Sequence, residues 1–180
     1  MAKSFLDLFG EAIDYFSREY EDLGKAFAGL DSKAQAAAAV AGVMTAALLT
    51  VTARDSYRHA VRLFGLSILV PIFGALVLLL LSILASILTM RVRSVPPPYN
   101  SEGVAASLED LAGLSAEELT EEAFQNHYRD IMKAWKKTLE DTRPVIEEKA
   151  EWLQRAQFLL LGAAIFVVFV IAIIVLYETS

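Results

Sequence analysis

The residues that could carry chemistry are few and scattered. Histidine occurs twice, at His59 and His127, and cysteine does not occur at all. Zinc sites and nucleophilic active sites need clustered His, Cys, Asp or Glu side chains, and the two histidines are predicted to lie on opposite sides of a membrane. No glycine-rich phosphate loop appears. We therefore expect no catalytic residue, no metal site and no cofactor.

Two weaker patterns have competing interpretations. Lys133, Lys136 and Lys137 form a small basic cluster that could bind a phosphate group, but an exposed helix face with supporting ion pairs explains it better. Arg54 and His59 have the spacing of the Arg/His motif of some helical ribonucleases. That match is only two residues long and falls in a loop predicted to face away from RNA.

The composition indicates the environment in which these residues must be positioned. Hydrophobic residues make up 56% of the 180-residue chain, above the share usual for soluble domains, and the net charge is −6. An acidic chain is poorly suited to bulk nucleic-acid binding, which needs positive charge to release counterions. It is equally unsuited to simple adsorption on anionic lipid.

Three uncharged segments are long enough to cross a bilayer, which takes about 20 mainly apolar residues in a helix. Residues 63–90 and 157–177 are rich in large apolar side chains, whereas residues 34–53 are rich in Ala and have few large apolar side chains. Small residues allow close approach of helices, so we expect the first span to pack inside a bundle. The predicted fold class is an all-α membrane protein with three transmembrane helices.

The distribution of Lys and Arg predicts the orientation. Three spans place the N-terminus and residues 94–156 on one side, and that side holds most of the basic residues. We expect the N-terminus inside, on the cytoplasmic side, and the C-terminus outside. The short loop on the other side nevertheless carries three arginines, which can snorkel to headgroups: Arg54, Arg58 and Arg62.

Residues 1–31 are predicted to form an amphipathic helix on the cytoplasmic side. Its polar face is acidic, which favours packing against other helices of the same chain over lying on the membrane surface. Gly29 is expected to end this helix, and Asp31 or Ser32 to cap the next.

Residues 94–156 are predicted to form a cytoplasmic helical segment. The prolines at 96–98 end the second span, and Ser115 with Glu118 forms a capping-box pattern that opens a helix running to about Asp141. Thr142 and Pro144 are expected to restart a helix. Because no breaker follows, this stalk should be continuous with the last span.

The polar residues of the spans are candidates for lining a pore if the protein forms a homo-oligomer. Ser and Thr can also bond to carbonyls of their own helix and then need no special role. No Asp, Glu, Lys or Arg lies in the middle of a span, which disfavours an ion-coupled transporter. The candidate pore-lining residues are Gln35, Thr45, Thr50, Ser82 and Ser86.

The order of these motifs resembles that of a known family. The sequence D-S-K-A at 31–34 opens a small-residue span, and V-P-P at 95–97 follows a longer second span. An acidic helical segment returns through K-A at 149–150 and R-A at 155–156. Over about residues 10–177 the layout resembles the transmembrane effector domain of Pycsar-type antiphage systems. It is more loosely similar to the small membrane effectors of cyclic-oligonucleotide signalling.

The resemblance implies an effector of bacterial immunity. In that family a cyclic nucleotide made during phage infection triggers membrane impairment and abortive cell death or arrest. Asp31, Lys33 and Lys149 lie in the matching motifs, and the resemblance assigns them no chemical role. The chain shows no recognisable cyclic-nucleotide-binding domain. Sensing would therefore fall to residues 101–156 or to a separate cytoplasmic partner.

Two hypotheses for the function stay open. The first is a membrane effector that oligomerises and disrupts or depolarises the bilayer, and the second is a membrane anchor or scaffold that recruits a cytoplasmic partner. A membrane-tethered enzyme is disfavoured because no suitable constellation of residues is found.

Overall fold

The computed structural model describes residues 5–53, 61–62, 65–91 and 121–178, and it contains three long helices there. They are α1 (Phe5–Thr52), α2 (Leu66–Met90) and α3 (Glu121–Glu178), and the described residues contain no strand. Each helix is long and apolar enough to cross a membrane. The all-α fold class with three membrane-spanning helices is therefore confirmed. Arg54, His59, the prolines at 96–98 and the capping box at 115–118 lie outside the described residues.

Two predicted helix breaks are wrong. α1 runs through Gly29 and Asp31 without interruption, and α3 runs through Pro144. One helical glycine costs only about 1 kcal/mol relative to alanine, and strong helix formers surround Gly29. Asp31 uses its carboxylate for an ion pair with Lys149 rather than for a cap.

Pro144 removes one backbone hydrogen bond from α3, which costs a helix about 3 kcal/mol. Contacts of the neighbouring residues offset this cost. Thr142 is buried, and its Oγ1 donates a hydrogen bond to the carbonyl of Thr138 at 2.7 Å, while Arg143 is ion-paired. The predicted continuity of the stalk with the last span is confirmed, since residues 121–178 form one helix.

The chain divides into two compact units, and α1 and α3 contribute residues to both. Unit 1 consists of Met1–Phe27 with Arg93–Glu147, and unit 2 of Ala28–Val92 with Glu148–Ser180. In unit 1, aromatic rings of α1 contact those of α3. The ring centroids of Phe9 and Tyr128 lie 4.1 Å apart, and Tyr20 meets Trp135 edge to face. The N-terminal part of α1 therefore packs against another helix of the same chain, as its acidic polar face favoured.

Unit 2 is a three-helix bundle in which α1 and α3 run parallel and α2 runs antiparallel to both. Leu48 shares a core cluster with Ile72 and Val170. A second cluster joins Ala41, Leu79 and Ala163. From this second cluster to the first, the residue numbers increase along α1 and α3 and decrease along α2. This alternation is what three successive membrane crossings require.

α1 contributes mainly alanines to the core of unit 2. Ala34, Ala37 and Ala41 are buried, followed by Leu48, at spacings of three, four and seven residues that keep them on one helix face. The small side chains let α1 approach its neighbours closely, as the composition of residues 34–53 indicates. α2 starts at a turn where Gly65 adopts a φ of 51°, a conformation that glycine tolerates without strain.

Candidate functional site

A largely buried ion pair joins α1 to α3 within unit 2. Lys149 Nζ lies 2.8 Å from Asp31 Oδ1, and the two side chains are 5% and 27% exposed. A buried ammonium group is costly unless a partner compensates its charge, and the carboxylate of Asp31 supplies that compensation. Sequence reasoning singled out both residues through motif resemblance alone, and the structure brings them together. Lys33, the third motif residue, is exposed.

The positions of the pair follow from the packing pattern of each helix. Asp31 lies three residues before Ala34, the first buried alanine of α1. Lys149 begins the buried face of α3 in unit 2, which continues four and seven residues later through Leu153 and Ala156. Each charge therefore occupies the first inward-facing position of its helix in this unit.

The buried face of α2 carries three hydroxyl groups, which we call the hydroxyl row: Ser82, Ser86 and Thr89, all with no exposed surface. Ser82 Oγ donates a hydrogen bond to the carbonyl oxygen of Ala156 at 2.9 Å. Thr89 Oγ1 donates to the carbonyl oxygen of Ala85 at 2.9 Å. Ser86 Oγ has no hydrogen-bond partner among the described residues.

The helix register places one end of the hydroxyl row next to the ion pair. Ser82 bonds to Ala156, and each residue advances about 1.5 Å along a helix axis. Because α2 and α3 are antiparallel, Thr89, seven residues after Ser82, lies at about the level of Lys149, seven residues before Ala156. The hydroxyl row therefore begins near the ion pair and extends about 10 Å into the bundle.

The predicted pore-lining residues fall into two groups. Ser82 and Ser86 are buried within unit 2, whereas Gln35 and Thr50 lie on the exposed surface of α1. Thr45 is half-buried. The hydroxyls of Thr45 and Thr50 each donate to a carbonyl four residues earlier on α1, at 2.8 Å, so both are satisfied locally.

The outer surface of unit 2 is apolar. Large hydrophobic side chains are exposed on both α2 and α3, including Phe73 at 70% and Val168 at 66%. In a water-soluble bundle such side chains are turned inward and hydroxyls outward. Unit 2 has large apolar side chains on its surface as well as in its core, which suits lipid as the surrounding solvent. Further exposed examples are Leu66, Val70, Leu80, Leu84, Phe158, Leu161, Ile165 and Leu176.

The lysine cluster lies on an exposed face of α3 in unit 1. Lys133 pairs with Asp130 at 3.0 Å and Lys136 with Glu140 at 3.7 Å, at spacings of three and four residues. Lys137 is also exposed. These pairs match the interpretation that the cluster stabilises the helix.

Sequence reasoning missed a second contact between α1 and α3, in unit 1. Arg143 donates a hydrogen bond to Glu19 Oε1 across a separation of 124 residues. This hydrogen bond and the charge of Glu19 raise the pKa of Arg143 above its already high ordinary value. No local spacing rule could have joined two residues so distant in the chain.

No group of three or more His, Cys, Asp or Glu in the described part of the chain could hold a metal ion. The polar groups of unit 2 are instead arranged as a charge pair and a line of hydroxyls. Together with the three long apolar helices, they define the class of this molecule as an all-α integral membrane protein.

The comparison with known families identifies the membrane protein more closely. Residues 16–176, nearly the whole chain, match the Pycsar effector protein domain. The chain belongs to this family and is an effector of cyclic-nucleotide antiphage signalling, which confirms the resemblance drawn from its motifs. No curated protein and no solved structure matches it.

Proposed function

We propose that this protein impairs the bacterial inner membrane, by opening a pore or by otherwise depolarising it, once a cytoplasmic signal engages residues 94–156. The signal is a cyclic nucleotide or a partner sensor protein. The observation that carries the proposal is that unit 2 has a largely apolar exterior and buries hydroxyl groups and an ion pair beside its hydrophobic core. The family match supplies the signalling context.

The buried polar groups favour an effector over a passive anchor. A helix needs only apolar side chains to hold a protein in a bilayer, and ionisable groups within or beside membrane spans are retained mainly where they function. Ser86 buries a hydroxyl that has no hydrogen-bond partner in the part of the chain that the structure describes, and Lys149 buries an ammonium group. An anchor gains nothing from either group, whereas a protein that changes state in the membrane can use both.

The proposal includes an assembly and an orientation. The exposed surface of α1 carries Gln35 and Thr50 among small residues, so it offers polar groups to a second copy of the chain. Homo-oligomers formed through such surfaces would bring several three-helix units side by side in the membrane. The excess of Lys and Arg among the N-terminal residues and residues 94–156 supports a cytoplasmic N-terminus and a periplasmic C-terminus. The function proposed is non-catalytic and needs no cofactor.

Purified protein in liposomes tests the effector hypothesis. The experiment measures efflux of a trapped ion-sensitive dye with and without a panel of cyclic nucleotides, with protein-free liposomes as the control. We expect efflux that depends on the protein and rises with one member of the panel. Intact liposomes under every nucleotide, with a cytoplasmic protein recruited to the same vesicles, would instead identify a membrane anchor.

A further inference from the structure

Resting on the proposed function, we propose that the Asp31–Lys149 pair is a latch that keeps the hydroxyl row dry. When the latch opens, water enters along Ser82, Ser86 and Thr89, and this row, about 10 Å of a hydrocarbon core roughly 30 Å thick, becomes the entrance of the path that small ions take. The path then lies inside unit 2 of each chain. The proposal thereby selects the buried group of polar residues over the exposed group on α1.

The first argument comes from the unsatisfied hydroxyl. Ser86 Oγ is fully buried and has no hydrogen-bond partner among the described residues, which disfavours the closed arrangement. The same hydroxyl becomes hydrogen-bonded if water reaches it. Ser86 therefore raises the free energy of the closed state relative to a hydrated one. Because Ser86 is the middle residue of the row, this difference favours hydration of the row itself.

The second argument comes from the side chains around the row. Ala34, Ala37, Ala85 and Ala156 are all buried in unit 2. Alanine side chains close a helix interface by letting the backbones approach, and they cannot extend to refill a gap when the helices move apart. A modest separation therefore opens a gap beside the row that these alanines do not refill, and Leu153 is the bulky buried side chain of α3 that has to move aside at this level.

The third argument concerns the latch. Asp31 lies on α1 and Lys149 on α3, so their ion pair holds two different helices together. Arg155 and Glu151 in the same unit pair within α3 and cannot do this. The helix register places Thr89 at about the level of the latch, so opening the pair exposes one end of the hydroxyl row. A charged group released from its partner also draws water to that end.

The chain contains no cysteine, so one introduced cysteine is a unique reporter of hydration. Ser86→Cys places a thiol of similar size in the row, and a charged methanethiosulfonate reagent modifies thiols that water reaches. We expect slow modification at rest and fast modification after activation in cells. If the open state is populated at about 1% at rest, full opening raises the rate about 100-fold.

Matched controls use the neighbouring helix face and an exposed site. Ile87→Cys lies one residue further on α2 but on the exposed apolar face, and its modification rate should not change with activation. Lys25→Cys in unit 1 is exposed and should react equally fast in both states. Depolarised cells in which Ser86→Cys stays unreactive would overturn the latch and the path while leaving the proposed function intact. Cells that do not depolarise at all would overturn the proposed function itself.

Charge exchange tests the latch separately. Asp31→Lys or Lys149→Asp alone should depolarise cells without any signal, because each places like charges together. The double exchange should restore a normal membrane potential at rest and keep the depolarisation in response to the signal. Exchanging the exposed pair Lys25 and Asp22 should change nothing. Single variants that reach the membrane in normal amounts and leave the resting potential unchanged would contradict the latch. If the single variants do not accumulate, the double exchange decides. Cells with the double exchange that depolarise only after the signal support the latch, and cells that are depolarised without the signal contradict it.

Discussion

Replacing Lys149 by methionine removes the cation that Asp31 contacts while keeping most of the volume of the side chain. Breaking a buried ion pair by removing one partner costs about 3–5 kcal/mol when the charge left behind is fully buried. The charge left behind here is the carboxylate of Asp31, whose side chain is 27% exposed and can recover part of its hydration. We therefore expect Lys149→Met to lower the free energy of unfolding by about 1–3 kcal/mol.

The reverse truncation should cost more. Asp31→Ala removes the carboxylate that lies 2.8 Å from the ammonium group of Lys149, whose side chain is only 5% exposed. We expect a loss of about 3–5 kcal/mol for this variant. The order of the two effects follows from the difference in burial between the two partners and does not depend on the absolute strength of the pair.

Unfolding in mixed micelles, followed by circular dichroism as the denaturing detergent is increased, measures both values. Lys25→Met is the matched control, since Lys25 pairs with Asp22 at a site where both side chains are about three-quarters exposed. Such pairs contribute about 0–1 kcal/mol. A loss for Lys149→Met no greater than for Lys25→Met would refute the reasoning, as would a smaller loss for Asp31→Ala than for Lys149→Met.

Three further predictions concern neighbouring features. Ser82→Ala should cost about 0.5–1.5 kcal/mol in the same unfolding assay because it loses a hydrogen bond between helices. Ser86→Ala should be neutral or stabilising because none of the described residues bonds to its hydroxyl, and equal losses for the two variants would contradict this. Ala163→Leu should cost about 1–3 kcal/mol by overfilling a fully buried site, whereas Ala46→Leu at an exposed site should change little, and equal effects would contradict the packing described. The pKa of Arg143 is raised by its carboxylate partner, so the stability it contributes is fully present below the ordinary arginine pKa and is lost only as pH rises through the higher folded value. Arg143→Gln should therefore change the free energy of unfolding by the same amount at about pH 7 and at about pH 9. A different change at the two pH values would contradict this assignment.

The membrane-spanning helices could be predicted because their signal is local. Residues 63–90 and 157–177 carry no charge over lengths that soluble helices seldom reach, and the structure has long apolar helices there. The continuity of α1 through Gly29 and of α3 through Pro144 could not be read from local propensity. Near each position an ion pair joins α1 to α3, Asp31 with Lys149 and Glu19 with Arg143, and a sequence pattern does not show these contacts.

The candidate site was predictable only in part. Ser82, Ser86 and Thr89 follow each other at spacings of four and three residues, which places them on one face of α2. The sequence could not show whether that face points inward or outward. The ion pair joins residues 118 positions apart, so it depends on the register between α1 and α3. That register is set by packing along the whole interface, from Ala41 with Ala163 to Leu48 with Val170, which motif spacing does not encode.

The membrane potential of living cells tests the central claim most directly. Bacteria that produce this protein together with a nucleotide cyclase would be infected with phage, and a potential-sensitive dye would be followed alongside viability and the amount of protein in the membrane. We expect the potential to collapse after the signal is made and before the phage lyses the cells, and only when the protein is present. An unchanged potential and unchanged viability, with the protein in the membrane and the signal present, would contradict the account.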